Sequence, residues 1–281
     1  MLGLERETLR HGSNLSKWLG LLILCLELRR CWGDKKDSYV TNVSTREDKS
    51  LIHYHGTPLT PRSEMLKMAG KCFCVSFAAP HDADWCLANG QSVMWDNGAF
   101  SAFTKGVLFD EAGYIKWVGP RLGHPHWAIV PDVIDGSVAE QRGMIARWPF
   151  PRELSAPVWH MGLPIDWLLD LAGSWPRICF GSTAAYWQVG SASWERRCDE
   201  AWNSMEKRGL RPWVHMLRGL SLCGDRWPFA SADSVNVAIN FKGDSRRGNA
   251  PICPERMARR IDAIQCPIRW TVRAEQQELF A

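Results

Sequence analysis

From residue 51 onward the chain repeats one pattern: a short β-rich apolar run ends at a polar residue or a glycine, and a helical stretch follows. The runs are Leu51–His55, Lys71–Phe77, Ser92–Trp95, Trp127–Val130, Pro157–Trp159, Arg177–Phe180 and Trp213–Leu217, and an eighth begins near Ser231 and takes in Val235–Ile239. Between them, Thr60-Pro61 opens a helix that runs to Met68, with Gly70 just past its end. Val138–Trp148 has apolar positions at 138, 144, 145 and 148, and Pro164–Leu171 is a further helix. The clearest amphipathic stripe is Trp194, Cys198, Ala201, Trp202 and Met205; Ser193 is placed to cap it and Gly209 to end it. Pro254–Gln265 is the last helix. Eight β runs alternating with helices over about 215 residues predict a (β/α)8 TIM barrel, an α/β fold. The competing architecture is a doubly wound open sheet, and no glycine fingerprint follows the first strand to favour it.

Residues 1–50 break the pattern. Trp18–Leu28 is apolar but shorter than the roughly 20 residues of a membrane span, contains Glu27, and has no small-x-small cleavage site after it. It reads as a peripheral helix or extension, joined by the polar stretch 34–50 to one domain over 51–281. Ten cysteines without a C-x-x-C pair read as reduced thiols of a cytoplasmic protein. Cys72 and Cys74 fall on one face of a strand, which is poor geometry for a local metal knuckle. Sixteen tryptophans read mainly as packing residues, with a few available to stack on bases. A net charge of +4 says little about partners, but residues 242–273 hold eight Lys/Arg against three acids, a local excess of +5. Arg246, Arg247, Arg256, Arg259 and Arg260 are therefore candidate phosphate contacts, or else a solvated face.

Chemistry in such a barrel sits at the C-terminal strand ends. The runs end at His55, Asp96, Asp132, His160, Gly181, His215 and Asp233. Two readings fit. Paired carboxylates can cleave a glycosidic bond, one attacking the anomeric carbon and the other protonating the leaving group. Alternatively, His53-Tyr54-His55, with His160, His215 and Asp233, resembles the ligand set of a metal-dependent amidohydrolase.

The order of the motifs favours the first. Asp96-Asn97-Gly98-Ala99-Phe100 resembles the Asp-Ser-Gly-Gly-Phe/Tyr segment of tRNA-guanine transglycosylases. Ile129-Val130-Pro131-Asp132 resembles the strand that carries their guanine-reading Asp, and Phe180-Gly181-Ser182 stands in the place of their Gly-Gly-Leu turn. Val214–Gly219 resembles their Tyr-Leu-Met-Gly strand, and Ser231-Ala232-Asp233-Ser234 is similar to the segment of their nucleophilic Asp. The Asn-Gly-Ala-Phe and Ala-Asp-Ser variants look closer to the DNA deazaguanine transglycosylases of phages and bacterial gene clusters, which exchange guanine in DNA for a 7-deazaguanine such as preQ0. The resemblance covers roughly residues 51–240. It departs from the tRNA enzymes in having His160 where they have a base-contacting Gln, and in lacking the C-x-C-x-x-C…His zinc site that follows their nucleophile.

The resemblance implies Asp233 as nucleophile and Asp96 as proton donor and acceptor. It implies guanine recognition by Asp132, with Asn97 and His160 beside it and backbone N–H groups of Gly181 and Ser182 reaching O6. Phe100 and Met216 would sandwich the base. It further implies a substrate of flipped or single-stranded DNA, a free 7-deazaguanine base as second substrate, no metal or other cofactor, and no membrane partner. A tRNA substrate and a nucleic-acid-binding protein without activity are the alternatives within that frame.

Overall fold

The computed structural model describes residues 51–219, 226–243 and 250–272. Residues 1–50, with the predicted extension, and Arg246 and Arg247 lie outside the described residues. Nine parallel strand segments form a nearly closed barrel: β1 (Ile52–Gly56), β2 (Cys72–Ser76), β3 (Ser92–Asp96), β4 (Trp127–Ile129), β5 (Ser155–Ala156), β6 (Val158–His160), β7 (Arg177–Gly181), β8 (Trp213–Met216) and β9 (Ser231–Ser234). Their order is β5-β4-β3-β2-β1-β9-β8-β7-β6, every pairing is parallel, and the two ends of that order adjoin in sequence across Pro157. Proline has no N–H to give to a ladder. The chain therefore changes partner there: Val130 N–H donates to Ala156 O on one side, and Cys179 N–H donates to Pro157 O on the other. The fifth run consequently starts at Ser155 rather than at Pro157.

The helices are α1 (Arg62–Leu66), α2 (Ala83–Asn89), α3 (Ala99–Thr104), α4 (Glu111–Val118), α5 (Val138–Arg147), α6 (Ile165–Ser174), α7 (Ala192–Lys207), α8 (Asn236–Asn240) and α9 (Pro254–Asp262). Ser137 and Glu140 close a capping box on α5. The stripe expected on α7 is buried as a block. Its cap is Ser191, whose Oγ accepts from Trp194 N–H at 3.3 Å; Ser193 only contacts Ser191 Oγ. A second correction concerns the last strand. Val235–Ile239 is not β: the strand stops at Ser234, whose Oγ accepts from Asn236 N–H at 2.8 Å, and α8 begins. Val237 is buried while Val235 and Ile239 are exposed, a spacing that suits one turn of helix and not a strand buried on both faces.

Period-two alternation sends one residue set into the barrel and the other onto the helices. The interior cluster is Tyr54, Met94, Trp127, Ile129, Ala156, Val158 and Cys179, with Ile52, Cys72, Cys74, Trp213 and Leu217 packed against it. Tyr54 receives the Trp127 indole N–H at 2.8 Å and shares a hydrogen bond with Ser92 Oγ at 3.1 Å. Arg177 closes the end of the barrel opposite the strand C-termini, its guanidinium 4.7 Å from the ring of Trp127 and 4.4 Å from that of Trp213. Most tryptophans are packing residues as expected: Trp95, Trp127, Trp159, Trp194 and Trp227 are fully buried. The seven described cysteines are free thiols. Among the described residues no helix is long and apolar enough to cross a membrane.

Candidate active site

The C-terminal strand ends open into one cavity of about 580 Å³. Of the expected site residues, Asp96, Asn97, Phe100, Asp132, His160, Gly181, Ser182 and Asp233 all line it. Met216 does not; it is fully buried and faces away from the barrel interior, and the next residue, Leu217, lines the cavity in its place. His215 points into the barrel, so by alternation its same-face neighbour is 217 and not 216.

Asp96 ends β3 and is carried into a tight turn. Gly98 N–H donates to its Oδ2 at 3.2 Å. Gly98 sits at φ +75°, and a Cβ there would lie 3.0 Å from the Ala78 backbone nitrogen, so the turn requires glycine. Burial pushes the Asp96 carboxyl up to about 6; the nearby Asp233 and Asp132 charges push the same way, and hydrogen bonds from Ser76 and Gly98 only partly oppose them.

Asp132 is buried beyond the end of β4. Its Oδ1 accepts from Asn97 Nδ2 at 2.6 Å, and Asn97 is itself fixed by a second bond to Val130 O and by accepting from Ala99 N–H. His160 Nε2 lies 2.8 Å from Asp132 Oδ2, off the line a hydrogen bond needs, and among the described residues neither ring nitrogen of this buried imidazole has a hydrogen-bond partner. Gly181 lets the ring sit where it does: a Cβ there would be 3.0 Å from Val158 Cγ1 and 3.4 Å from His160 Nδ1. The Ser182 hydroxyl accepts from the Trp194 indole N–H at 2.9 Å and keeps its own O–H to donate.

Asp233 stands on β9. Its Oδ1 accepts from Arg218 N–H at 2.8 Å and lies 3.2 Å from His215 Nε2. His215 is fully buried, and burial lowers its tendency to protonate, against the opposing pull of Asp233. The neutral tautomer that satisfies both neighbours has Ser231 O–H donating to Nδ1, at 2.6 Å, and Nε2–H donating to Asp233. Tyr54, Trp127 and Trp213 surround the imidazole. Asp233 Oδ2 has no partner among the described residues and is the oxygen left to a ligand.

The metal-site arrangement is not assembled. His53 and His55 alternate with the inward Tyr54 and so face out of the barrel. There His53 Nε2 bonds Ile264 O at 3.0 Å and His55 Nε2 bonds Asp262 Oδ1 at 2.9 Å, tying the end of α9 to β1. Among the described residues no group of three His, Cys, Asp or Glu side chains has the arrangement of a metal site. Arg256, Arg259 and Arg260 are exposed on α9; Arg259 is paired with Glu255, and none of the three lines the cavity. The residues that sequence reasoning passed over are Leu217, Arg218, Lys105 and Trp187 at the rim, and His215 as the support of Asp233. Comparisons with models of known protein families and with curated proteins found no match.

Proposed function

We propose that the protein is a transglycosylase that exchanges guanine in DNA for a 7-deazaguanine base, working on a (β/α)8 barrel in which β5 and β6 count as one strand interrupted at Pro157. The observation that carries the reading is the meeting of three carboxylates in three different settings within one cavity: Asp233 held by two N–H groups, Asp96 half-buried with a raised pKa, and Asp132 set against Asn97 and His160. Asp233 Oδ2 attacks C1′ of the target nucleotide. The C1′–N9 bond breaks, its electron pair passes to the guanine, and protonated Asp96 gives the leaving base its proton. The incoming base then loses a proton to the Asp96 carboxylate, its nitrogen attacks C1′, and Asp233 is released. Each side of the exchange breaks one N-glycosidic bond and makes one, so no cofactor is called for.

Each oxygen of Asp132 keeps an acceptor site beyond its present neighbour, enough for the N1–H and exocyclic N–H of guanine. Adenine has neither donor and would turn its N1 lone pair toward that carboxylate. The second reading, a metal-dependent hydrolase, has lost its strand-one histidines to the outer face of the barrel.

The test is covalent trapping. The protein is incubated with a guanine-containing DNA oligonucleotide, and separately with tRNA, together with a 7-deazaguanine base. The mixtures are denatured and examined for a shifted band. A DNA adduct that Asp233→Asn abolishes is expected. An adduct with tRNA alone would keep the chemistry and overturn the substrate, and no adduct with either would overturn the reading.

A further inference from the structure

Arg218 follows β8 directly and has three features in combination. Its backbone is left-handed at φ +57°, a conformation a non-glycine side chain holds only where the surroundings fix it. Its N–H is one of the two donors on Asp233. Its guanidinium carbon lies 3.7 Å from the ring centroid of Phe100, the shortest such contact among the described residues. Arg121, Arg147, Arg197 and Arg226 each spend their guanidinium on a carboxylate. Arg218 does not: it is exposed at the rim, lines the cavity beside Asp96, Asp132 and Asp233, and has no ion pair among the described residues. A guanidinium held over an aromatic ring has lost much of its rotamer freedom before any ligand arrives, and its N–H groups remain available to an anion.

We propose that Arg218 is a positioning residue that takes the phosphodiester next to the target nucleotide, with Phe100 as the platform for its guanidinium. This rests on the reading of the substrate as a polynucleotide. Asp233 must touch C1′, and Arg218 begins one hydrogen bond away from Asp233. The anion nearest that sugar is its own backbone phosphate, which falls within the length of an arginine side chain. The consequence for specificity is that the site takes a guanine nucleotide within a chain in preference to a free nucleoside. It also changes the role of Phe100, which holds the arginine and not the guanine.

The experiment is fluorescence anisotropy with a labelled, guanine-containing single-stranded DNA oligonucleotide at a series of salt concentrations. Arg218→Asn removes the charge while keeping a residue that tolerates the left-handed backbone; Arg218→Lys keeps the charge. Arg218→Asn is expected to weaken binding roughly tenfold or more and to reduce the slope of log K against log salt by about 0.7, one phosphate contact on a single strand. Arg218→Lys is expected to keep the wild-type slope. Phe100→Leu, which leaves the backbone of residue 218 untouched, is expected to weaken binding with the slope unchanged. This holds the question open to refutation if Arg218→Asn does not fold. Wild-type slope and affinity in Arg218→Asn, or wild-type affinity in Phe100→Leu, would overturn the inference alone. A wild-type protein that binds no oligonucleotide would overturn it together with the polynucleotide reading.

Discussion

Replacing Asp96 by Asn is expected to stabilise the protein and, on the proposed function, to remove its proton-transfer group. The carboxyl rises from an ordinary 3.8 to about 6 on folding, first through burial and then through the Asp233 and Asp132 charges. A raised carboxylate pKa means that the folded state binds a proton more tightly than the unfolded state. Stability is therefore full below the ordinary value, falls as pH rises between 3.8 and 6, and stays reduced above. Two pKa units correspond to ~3 kcal/mol, at about 1.4 kcal/mol per unit. Asn is neutral throughout and keeps an oxygen for the Gly98 N–H. Its advantage should be close to that full value at pH 8 and about half of it at pH 5. For a domain of this size 1 kcal/mol moves Tm by about 2–4 °C, so Asp96→Asn should melt about 6–12 °C above wild type at pH 8, with the gap narrowing in acid. Thermal unfolding of both proteins at several pH values between 5 and 8 measures this directly. A gap that does not change with pH, or a variant less stable at pH 8, would refute the assignment of the raised carboxyl to Asp96.

Three further substitutions probe the site. Asn97→Ala removes the donor on Asp132 Oδ1 and the acceptor for Ala99 N–H, and should weaken inhibition by free guanine by about 1–3 kcal/mol. Gly181→Ala drives a methyl group against Val158 and the His160 ring, and should raise the inhibition constant for guanine roughly tenfold with little change in Tm, since the crowding falls on the cavity side. His215→Leu leaves Ser231 and Asp233 each short of a partner; it should lower stability by about 1–3 kcal/mol and slow adduct formation, with His215→Gln recovering part of the rate because it restores a donor to Asp233.

The ring of strands was legible because its parts are local: short apolar runs, each ending in a polar residue, separated by helices whose caps and stripes have a period of their own. The site was legible for the same reason. Asp96, Asp132, His160, Gly181 and Asp233 are strand ends, and a parallel barrel brings strand ends together whatever lies between them. Two differences are matters of facing. The family resemblance points to Met216, but a strand shows alternate residues to its two faces. Once His215 is inside, Met216 must pack outward and Leu217 must meet the ligand. His53 and His55, on which the alternative metal reading turned, face outward by the same parity, because Tyr54 is the residue that fills the barrel. Val235–Ile239 has β-branched residues at alternate positions, yet Ser234 captures the next N–H and turns the chain into α8, a local competition that propensity does not register. Arg218 was hidden for a different reason: neither its left-handed backbone nor its place over Phe100 has a signature in the residue types around it.

The division of labour between the carboxylates follows from what the barrel leaves out. His215 sits beneath Asp233 among Tyr54, Trp127 and Trp213, and burial keeps its imidazole neutral. A cationic histidine there would offset the negative charge of Asp233 and with it much of the pressure on Asp96. The neutral ring supplies a donor without supplying a charge, so Asp96 bears the repulsion of two carboxylates as well as its own burial. The result is one carboxylate oriented by two N–H groups toward its ligand and another that gains or loses a proton close to neutral pH. In the proposed exchange, which protonates one base and deprotonates the next, that second group has to work in both directions, which a carboxyl at an ordinary 3.8 would do poorly. Arg218 completes the arrangement from outside: it gives Asp233 a backbone N–H and holds its own charge at the rim over Phe100, without an ion pair to the cavity carboxylates among the described residues.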